Sequence, residues 1–412
     1  MRIAVFSDIY LGATGGIVSS IKAQKNALEK AGHEVVIFSP ASSNFRQQNL
    51  ESGVVIVPTC RYWKVGGVPI ARRPKIVEKW IEGGFGNLAE FDVVHVHYEA
   101  GCSLAGMQLA KKYQKPLIVT MHGREDVAVA TNIPYMLKTV VGSLLCWLHA
   151  KYIPHDIKIS LDNYLATTRA RAKMWQLMIN HANYADLVMV PSRHFRKKLE
   201  HYGVKRTVEV LSNGIAEELV PKKVSVVKWH LDEPLKLFWN SRVSKEKRIM
   251  DFLQALSLVQ FPVEMMVFGE GNDLKKAQRF VRKKGLKVKF FGVVPREKLL
   301  KNMQQAKMSV LVSYGFDTQG MTLLEAEAFG VPVLICDPDL KETVARGGCV
   351  CCDPKAEKMA MALIDLHKHP EQIAKMSRAM IKDREKVMVG TMLESLVKIY
   401  KKAIEISGAK SK

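Results

Sequence analysis

Short apolar runs rich in β-branched residues alternate with amphipathic helical stretches, and the alternation occurs twice. The first series reads "RIAVFS", "EVVIFS", "GVVIVP", "DVVHVH", "PLIVTM" and "DLVMVP". The second restarts at "PLKLFWNS" after Glu233 and continues through "VEMMVFG", "KVKFFGVV", "SVLVSYG" and "VPVLICD". Strands separated by helices in this way predict parallel sheets covered by helices. Between the first two strands, "GIVSSIKAQKNALEKAG" places Ile17, Ile21, Leu28 and Ala31 on one helical face and stops at Gly32, a βαβ unit. The expected class is α/β, with two Rossmann-like doubly wound domains. Such sheets bind ligands beyond the carboxyl ends of their strands, so the expected site is a cleft that both domains face.

The expected division is residues 1–212, then 213–390, with the join in the Lys- and Val-rich stretch near 213–233. Residues 391–412, which include "TMLESLVKIYKKAIEI", carry an apolar stripe expected to pack back on the first domain. A length of 412 residues suits two domains. No apolar run reaches the roughly 20 residues of a membrane-spanning helix, and "MRIAVFSDIY" enters a strand directly, so a cytoplasmic protein is expected. Seven cysteines, an odd number, indicate reduced thiols, and "CVCC" at Cys349, Cys351 and Cys352 reads as strand rather than metal site. The formal net charge of +22, shared equally between residues 1–210 and the rest, favours an anionic partner: nucleic acid, a phosphate-rich substrate or an anionic membrane. Against nucleic acid, the cations are spread over both halves without interleaved aromatics.

Two carboxylates, Asp317 and Glu325, flank Gly320 where the strand "SVLVS" gives way to the helix "MTLLEAEAF". Gly320 and Met321 open a helix start that favours phosphate, and Glu325, about one turn in, suits vicinal hydroxyls. Together they describe a nucleotide sugar; solvated acids are the alternative. Arg242 and Lys247 in "NSRVSKEKR" emerge at another strand end, where two cations can neutralise a diphosphate leaving group without a metal. "FGEGN" adds Gly269 and Gly271. "SDIYLGATGGIVSSI" adds Gly15 and Gly16 after the first strand, although it does not spell GxGxxG.

In order and spacing, "SRVSKEK", "VFGEGNDL", "FFGVVPREKL" and "FDTQGMTLLEAEAFGVPV" resemble the donor domain of glycosyltransferase family 4, retaining enzymes of the GT-B fold, and the likeness runs over nearly the whole chain. It implies a nucleotide sugar as co-substrate, no required metal or other cofactor, Arg242 and Lys247 on the diphosphate, Glu325 on the ribose, and the acid at 317 on the transferred sugar. The family usually has Glu there, so Asp317 is a departure with a shorter reach. Gly15 and Gly16 would approach donor or acceptor, and His122 in "VTMHG" matches the family's active-site histidine. His97 in "VHVHYE" fits a common pattern but reads first as packing. "DPD" at Asp337–Asp339 reads as a turn.

Within the family, "SDIYLGATGGIVSSI" and the "TQG" after Asp317 look most like the diacylglycerol glucosyltransferases, which implies UDP-glucose as donor and a membrane lipid as acceptor. A GDP-mannose-dependent mannosyltransferase acting on phosphatidylinositol or a surface polysaccharide is the alternative. The stretch "IPYMLKTVVGSLLCWLHAKY" joins apolar residues to Lys138 and Lys151, and "RHFRKKL" contributes Arg193, Arg196, Lys197 and Lys198. They are expected to hold the protein peripherally on anionic lipid at the cytoplasmic face, unless the first is simply a buried helix and the second a solvated face.

Overall fold

The computed structural model describes residues 1–11, 15–41, 45, 50–65, 68–86 and 88–410, with backbone alone at 61–65, 68 and 410. The chain divides into two compact units, one of Met1–Ser212 with Met392–Lys412, the other of Asn213–Thr391.

In the first unit, the strands are β1 (Arg2–Ser7), β2 (Glu34–Ser39), β3 (Val54–Ile56), β4 (Thr59–Val65), β5 (Val68–Ala71), β6 (Val93–His97), β7 (Leu117–Thr120), β8 (Leu187–Val190) and β9 (Thr207–Val210). Its helices are α1 (Gly16–Lys30), α2 (Pro74–Gly84), α3 (Gly101–Lys112), α4 (Glu125–Asn132), α5 (Lys138–Ala150), α6 (Arg169–Tyr184) and α7 (Arg193–His201). Among the described residues, seven parallel strands form one sheet in the order β3-β2-β1-β6-β7-β8-β9, and β4 and β5 form an antiparallel hairpin. Alternate residues of β1 enter different cores, Ala4 and Phe6 one layer, Ile3 and Val5 the other. A strand buried on both faces has to be apolar throughout, which is why "RIAVFS" shows no polar alternation.

The second unit holds β10 (Leu235–Asn240), β11 (Val263–Phe268), β12 (Lys287–Gly292), β13 (Met308–Leu311), β14 (Val333–Ile335) and β15 (Cys349–Cys351), in the sheet order β12-β11-β10-β13-β14-β15. Around them are α8 (Ile249–Leu256), α9 (Leu274–Lys284), α10 (Arg296–Met303), α11 (Met321–Ala328), α12 (Ala356–Lys368) and α13 (Glu371–Asp383). The last helix, α14 (Val389–Lys410), starts in this unit and runs on into the first. There Leu396, Ile399, Tyr400 and Ala403 are buried in the same layer as Ile3, Val5, Ile118 and Leu187.

In each sheet the chain reverses its direction of progress once, between β1 and β6 and between β10 and β13. Adjacent connections there leave on opposite faces and open a crevice at the carboxyl ends of the strands. The donor-site residues singled out from the sequence, and His122, lie at or beside these two places.

Candidate active site

In the second unit, Asn240 ends β10 and Glu325 lies one turn into α11. Asn240 Nδ2 donates to Glu325 Oε2 at 2.6 Å, and Arg296 Nη2, from the start of α10, lies 2.7 Å from Oε1. Thr322 Oγ1 ties α11 to β10 by donating to the Asn240 carbonyl at 2.6 Å. Glu325 is therefore not a solvated helix acid: it is 1% exposed. Burial pushes its pKa up, and the Arg296 charge and the Asn240 hydrogen bond pull against that rise. Each carboxylate oxygen keeps a second acceptor site for a hydroxyl.

Lys247 and Asp317 form one ion pair, Nζ to Oδ1 at 2.6 Å, both largely buried. Asp317 Oδ2 accepts from Ser313 Oγ, just past β13. Arg242 Nη2 lies 3.0 Å from Glu246 Oε1, which also accepts from Ser244 Oγ at 2.8 Å. The buried Glu246 thus aims an otherwise exposed guanidinium. Both cations stand by the Phe316 ring, Lys247 Nζ at 5.0 Å and the Arg242 guanidinium carbon at 5.8 Å from its centre. The carboxyl edge of β10 and β13 thus gathers the cations Arg242 and Lys247 and the acids Glu246, Asp317 and Glu325, with Arg296 reaching in from α10.

The glycines act differently from one another. Gly320 precedes α11 at φ 79°, and a Cβ there would meet Leu311 Cδ2 at 2.7 Å. Gly269, at φ 123°, has no room for a Cβ because the Ser241 carbonyl oxygen would be 2.3 Å away. It lets the loop that carries Arg242 pack against the end of β11. Met321 is the first residue of α11, and its side chain packs against the core. "DPD" is more than a turn, since Asp337 caps a short 3-10 helix, Pro338–Thr343, and accepts from the Gly315 N–H at 2.7 Å.

In the first unit, His122 follows β7 and His97 ends β6, and His97 Nδ1 lies 2.8 Å from His122 Nε2. The rings meet edge to edge, their centres 5.1 Å apart, so His97, read as packing, also orients His122. Behind them His95 is held between Thr120 Oγ1 at 2.6 Å and the Tyr400 hydroxyl of α14 at 2.9 Å. Burial holds His122 down to about 4 and His95 to about 3, so both are neutral at pH 7. His122 can exchange hydrogen bonds with a substrate but brings no charge. Tyr98 follows at φ 107°, a strained backbone for a residue with a Cβ, as found at functional sites. Asp8, after β1, accepts from the N–H groups of Cys102 at 2.7 Å and Ser103 at 3.1 Å at the start of α3. Gly15 and Gly16 lie at the start of α1, while residues 12–14 of the same loop are outside the described residues.

The histidines carry a pH prediction. An unfolded imidazole titrates near 6.5, so their neutral, buried state contributes full stability above that pH and loses it as pH falls toward 4 and then 3. Each unit of pH in that window removes about 1.4 kcal/mol per histidine. The urea midpoint of the first unit should fall between pH 7 and pH 5; a constant midpoint would show that these rings are not buried neutral.

The basic stretches separate. Arg193, Arg196, Lys197 and Lys198 lie on α7, whose Phe195 and Leu199 enter the sheet core. Lys198 is buried, which corrects its expected place on a cationic surface: it lies on the inner face of the helix beside Leu199. Arg196 is paired with Glu200 at 2.7 Å. Lys138 and Lys151 instead bracket α5, whose apolar side chains are largely exposed. Sequence reasoning missed Asn240, Arg296, Ser313 and Asp8; the available signal was a polar residue at or just past an apolar strand end, or at a helix start.

Residues 14–219 match the profile of Glycosyltransferase Family 4, and residues 225–386 that of Glycosyl transferases group 1. The alpha-monoglucosyldiacylglycerol synthase of Acholeplasma laidlawii is 23% identical over 92% of this chain and 91% of its own; that of Streptococcus pneumoniae is 25% identical over 81% and 70%. The phosphatidyl-myo-inositol mannosyltransferase of Mycolicibacterium smegmatis is 25% identical over 89% and 84%. Sucrose-phosphate synthase from Thermosynechococcus elongatus superposes at a TM-score of 0.71 with 15% identity, covering 97% of this chain and 98% of that one. HepE of Anabaena, solved with UDP and glucose, reaches 0.70 with 16% identity, covering 98% and 100%. The two Rossmann-like units match GT-B glycosyltransferase structures, and the chain belongs to glycosyltransferase family 4 as a hexosyltransferase.

Proposed function

We propose that the protein moves glucose from UDP-glucose to a membrane lipid, 1,2-diacylglycerol, with retained anomeric configuration. On this reading Glu325 takes the ribose hydroxyls, while Arg242 and Lys247 meet the diphosphate as it departs. Asp317, held by Lys247, takes the hexose, and His122 bonds to sugar or acceptor hydroxyls as a neutral imidazole. With two cations on the leaving group, EDTA should leave turnover intact; a strict Mg²⁺ requirement would count against this division of labour.

The observation that carries the lipid acceptor is the surface around α5. Tyr135 and Met136 are 87% and 89% exposed and Trp147 57%, and Leu137, Val140, Leu144, Leu145 and Leu148 are exposed beside them. Lys151 Nζ lies 3.4 Å from the centre of the Trp147 ring, and Lys138 Nζ 5.7 Å from that of Tyr135. Residues 127–155 contain no Asp or Glu. Among the described residues no helix is long and apolar enough to cross a membrane, so this face would lie in the interface. Each large side chain entering the acyl region contributes about 1.5–3 kcal/mol, and each lysine near anionic headgroups about 1 kcal/mol. The names of the relatives from Acholeplasma and Streptococcus agree with this acceptor; those of the mannosyltransferase relatives support a second reading, GDP-mannose with phosphatidylinositol.

Vesicle flotation tests the surface: binding to anionic vesicles should weaken with salt and be lost in Met136→Glu/Leu144→Glu. Equal binding to neutral vesicles would remove the electrostatic part. The reaction is tested with labelled UDP-glucose and diacylglycerol in anionic mixed micelles, following label into the organic phase. Label only with GDP-mannose and phosphatidylinositol would select the second reading, and none with either would move the acceptor away from lipid.

A further inference from the structure

β14 and β15 run parallel with Ile335 opposite Cys351, and the pairing continues one step as the Cys352 N–H donates to the Ile335 carbonyl at 3.1 Å. The residues that follow each strand are Cys336 and Cys352, with sulfurs 3.8 Å apart. Each also faces the neighbouring backbone, Cys336 Sγ the Asp353 carbonyl at 3.9 Å and Cys352 Sγ the Ile335 carbonyl at 3.8 Å. Neighbouring strands lie about 4.8 Å apart, within the Cα separation of roughly 4.4–6.8 Å that a disulfide spans.

The two thiols differ. Cys336 is 2% exposed, whereas Cys352 is half-buried. The hydrogen bond between them raises the pKa of Cys336 and lowers that of Cys352. Cys352, the more exposed of the two, is thus the thiol an oxidant meets first, and Cys336 the resolving thiol beneath it.

The flanking residues hold the two loops of the donor site. Asp337, next to Cys336, accepts the Gly315 N–H at 2.7 Å in the loop between Ser313 and Asp317. Pro354, two residues beyond Cys352, accepts Arg248 Nη2 at 2.7 Å on its carbonyl. Arg248 adjoins Lys247 and is left-handed at φ 62°, a backbone that a side chain adopts only when held.

We propose that Cys336 and Cys352 form a reversible dithiol–disulfide switch that sets the affinity of the donor site through the loops bearing Lys247 and Asp317. The Cys352 thiolate attacks a low-molecular-weight disulfide, whose S–S bond breaks and releases one small thiolate. Cys336, giving its proton to water, then attacks the Cys352 sulfur of the mixed disulfide and expels the second. The protein loses two protons and two electrons, and one small disulfide becomes two small thiols. Closing the sulfurs from 3.8 Å to about 2.05 Å draws Asp337 and Pro354 together and disturbs both grips.

The effect on affinity rests on the reading of this site as nucleotide-binding; the disulfide does not. The test exposes the full chain to oxidised glutathione, alkylates remaining thiols, maps the peptides and titrates UDP. The expected result is a Cys336–Cys352 linked peptide, with the other five cysteines alkylated and UDP affinity about tenfold weaker until dithiothreitol restores it. Cys336→Ser and Cys352→Ser should bind UDP as the reduced protein does and ignore the oxidant. Alkylation of both cysteines after oxidation would overturn the disulfide, and a linked pair with unchanged UDP affinity would overturn the switch. A reduced protein that does not bind UDP would refute the site reading and the switch with it, while the peptide map still decides whether the disulfide forms.

Discussion

Lys247→Ala should lower turnover by about two to three orders of magnitude, the usual cost of deleting one preorganised charge aimed at a leaving group. The loss is expected to be large because Lys247 has two tasks. Its ammonium would meet the diphosphate, and it already fixes Asp317 at 2.6 Å, so its removal also loosens the proposed partner of the hexose. Arg242→Ala should act in the same direction. UDP release under saturating donor measures the effect; near-normal turnover in Lys247→Ala would remove the residue from the reaction.

The largest effect on stability is expected from Asp126→Ala. Arg124 and Asp126 are joined by two bonds, Nε to Oδ1 at 2.6 Å and Nη2 to Oδ2 at 2.8 Å, with both residues buried. The guanidinium also lies 5.1 Å from the centre of a Trp175 ring. Removing the carboxylate strands a charge among apolar groups, with Asp126's more distant partner Arg171, 3.9 Å from Oδ2, also released. Breaking such a pair costs about 3–5 kcal/mol. Urea unfolding followed by tryptophan fluorescence would report it. A loss below about 1 kcal/mol would mean that water reaches Arg124 readily.

The fold was legible because apolar strands and helical faces repeat with periods that burial dictates, and doubly wound topology follows from their alternation. Arg242, Lys247, Asp317 and Glu325 were legible as charged residues at strand or helix ends. Their partnerships were not: that Lys247 binds Asp317, and that Asn240 and Arg296 close on Glu325, depends on contacts between segments distant in the chain. Periodicity also failed to separate α5 from a core helix, because exposure rather than composition distinguishes them. Lys198 shows the opposite limit, a residue counted as surface charge whose helical position turned it inward.

The return of α14 into the first unit bears on how the protein is made. Residues 1–212 leave the ribosome early, yet the layer formed by Ile3, Val5 and Ile118 lacks Leu396, Ile399 and Tyr400, and His95 lacks its Tyr400 hydroxyl, until residues 213–391 have been synthesised. At about 5–20 residues per second that interval is on the order of 10 to 40 seconds. During vectorial synthesis the half that emerges first is the last to be completed, and its uncovered apolar layer is what a chaperone would meet on the nascent chain.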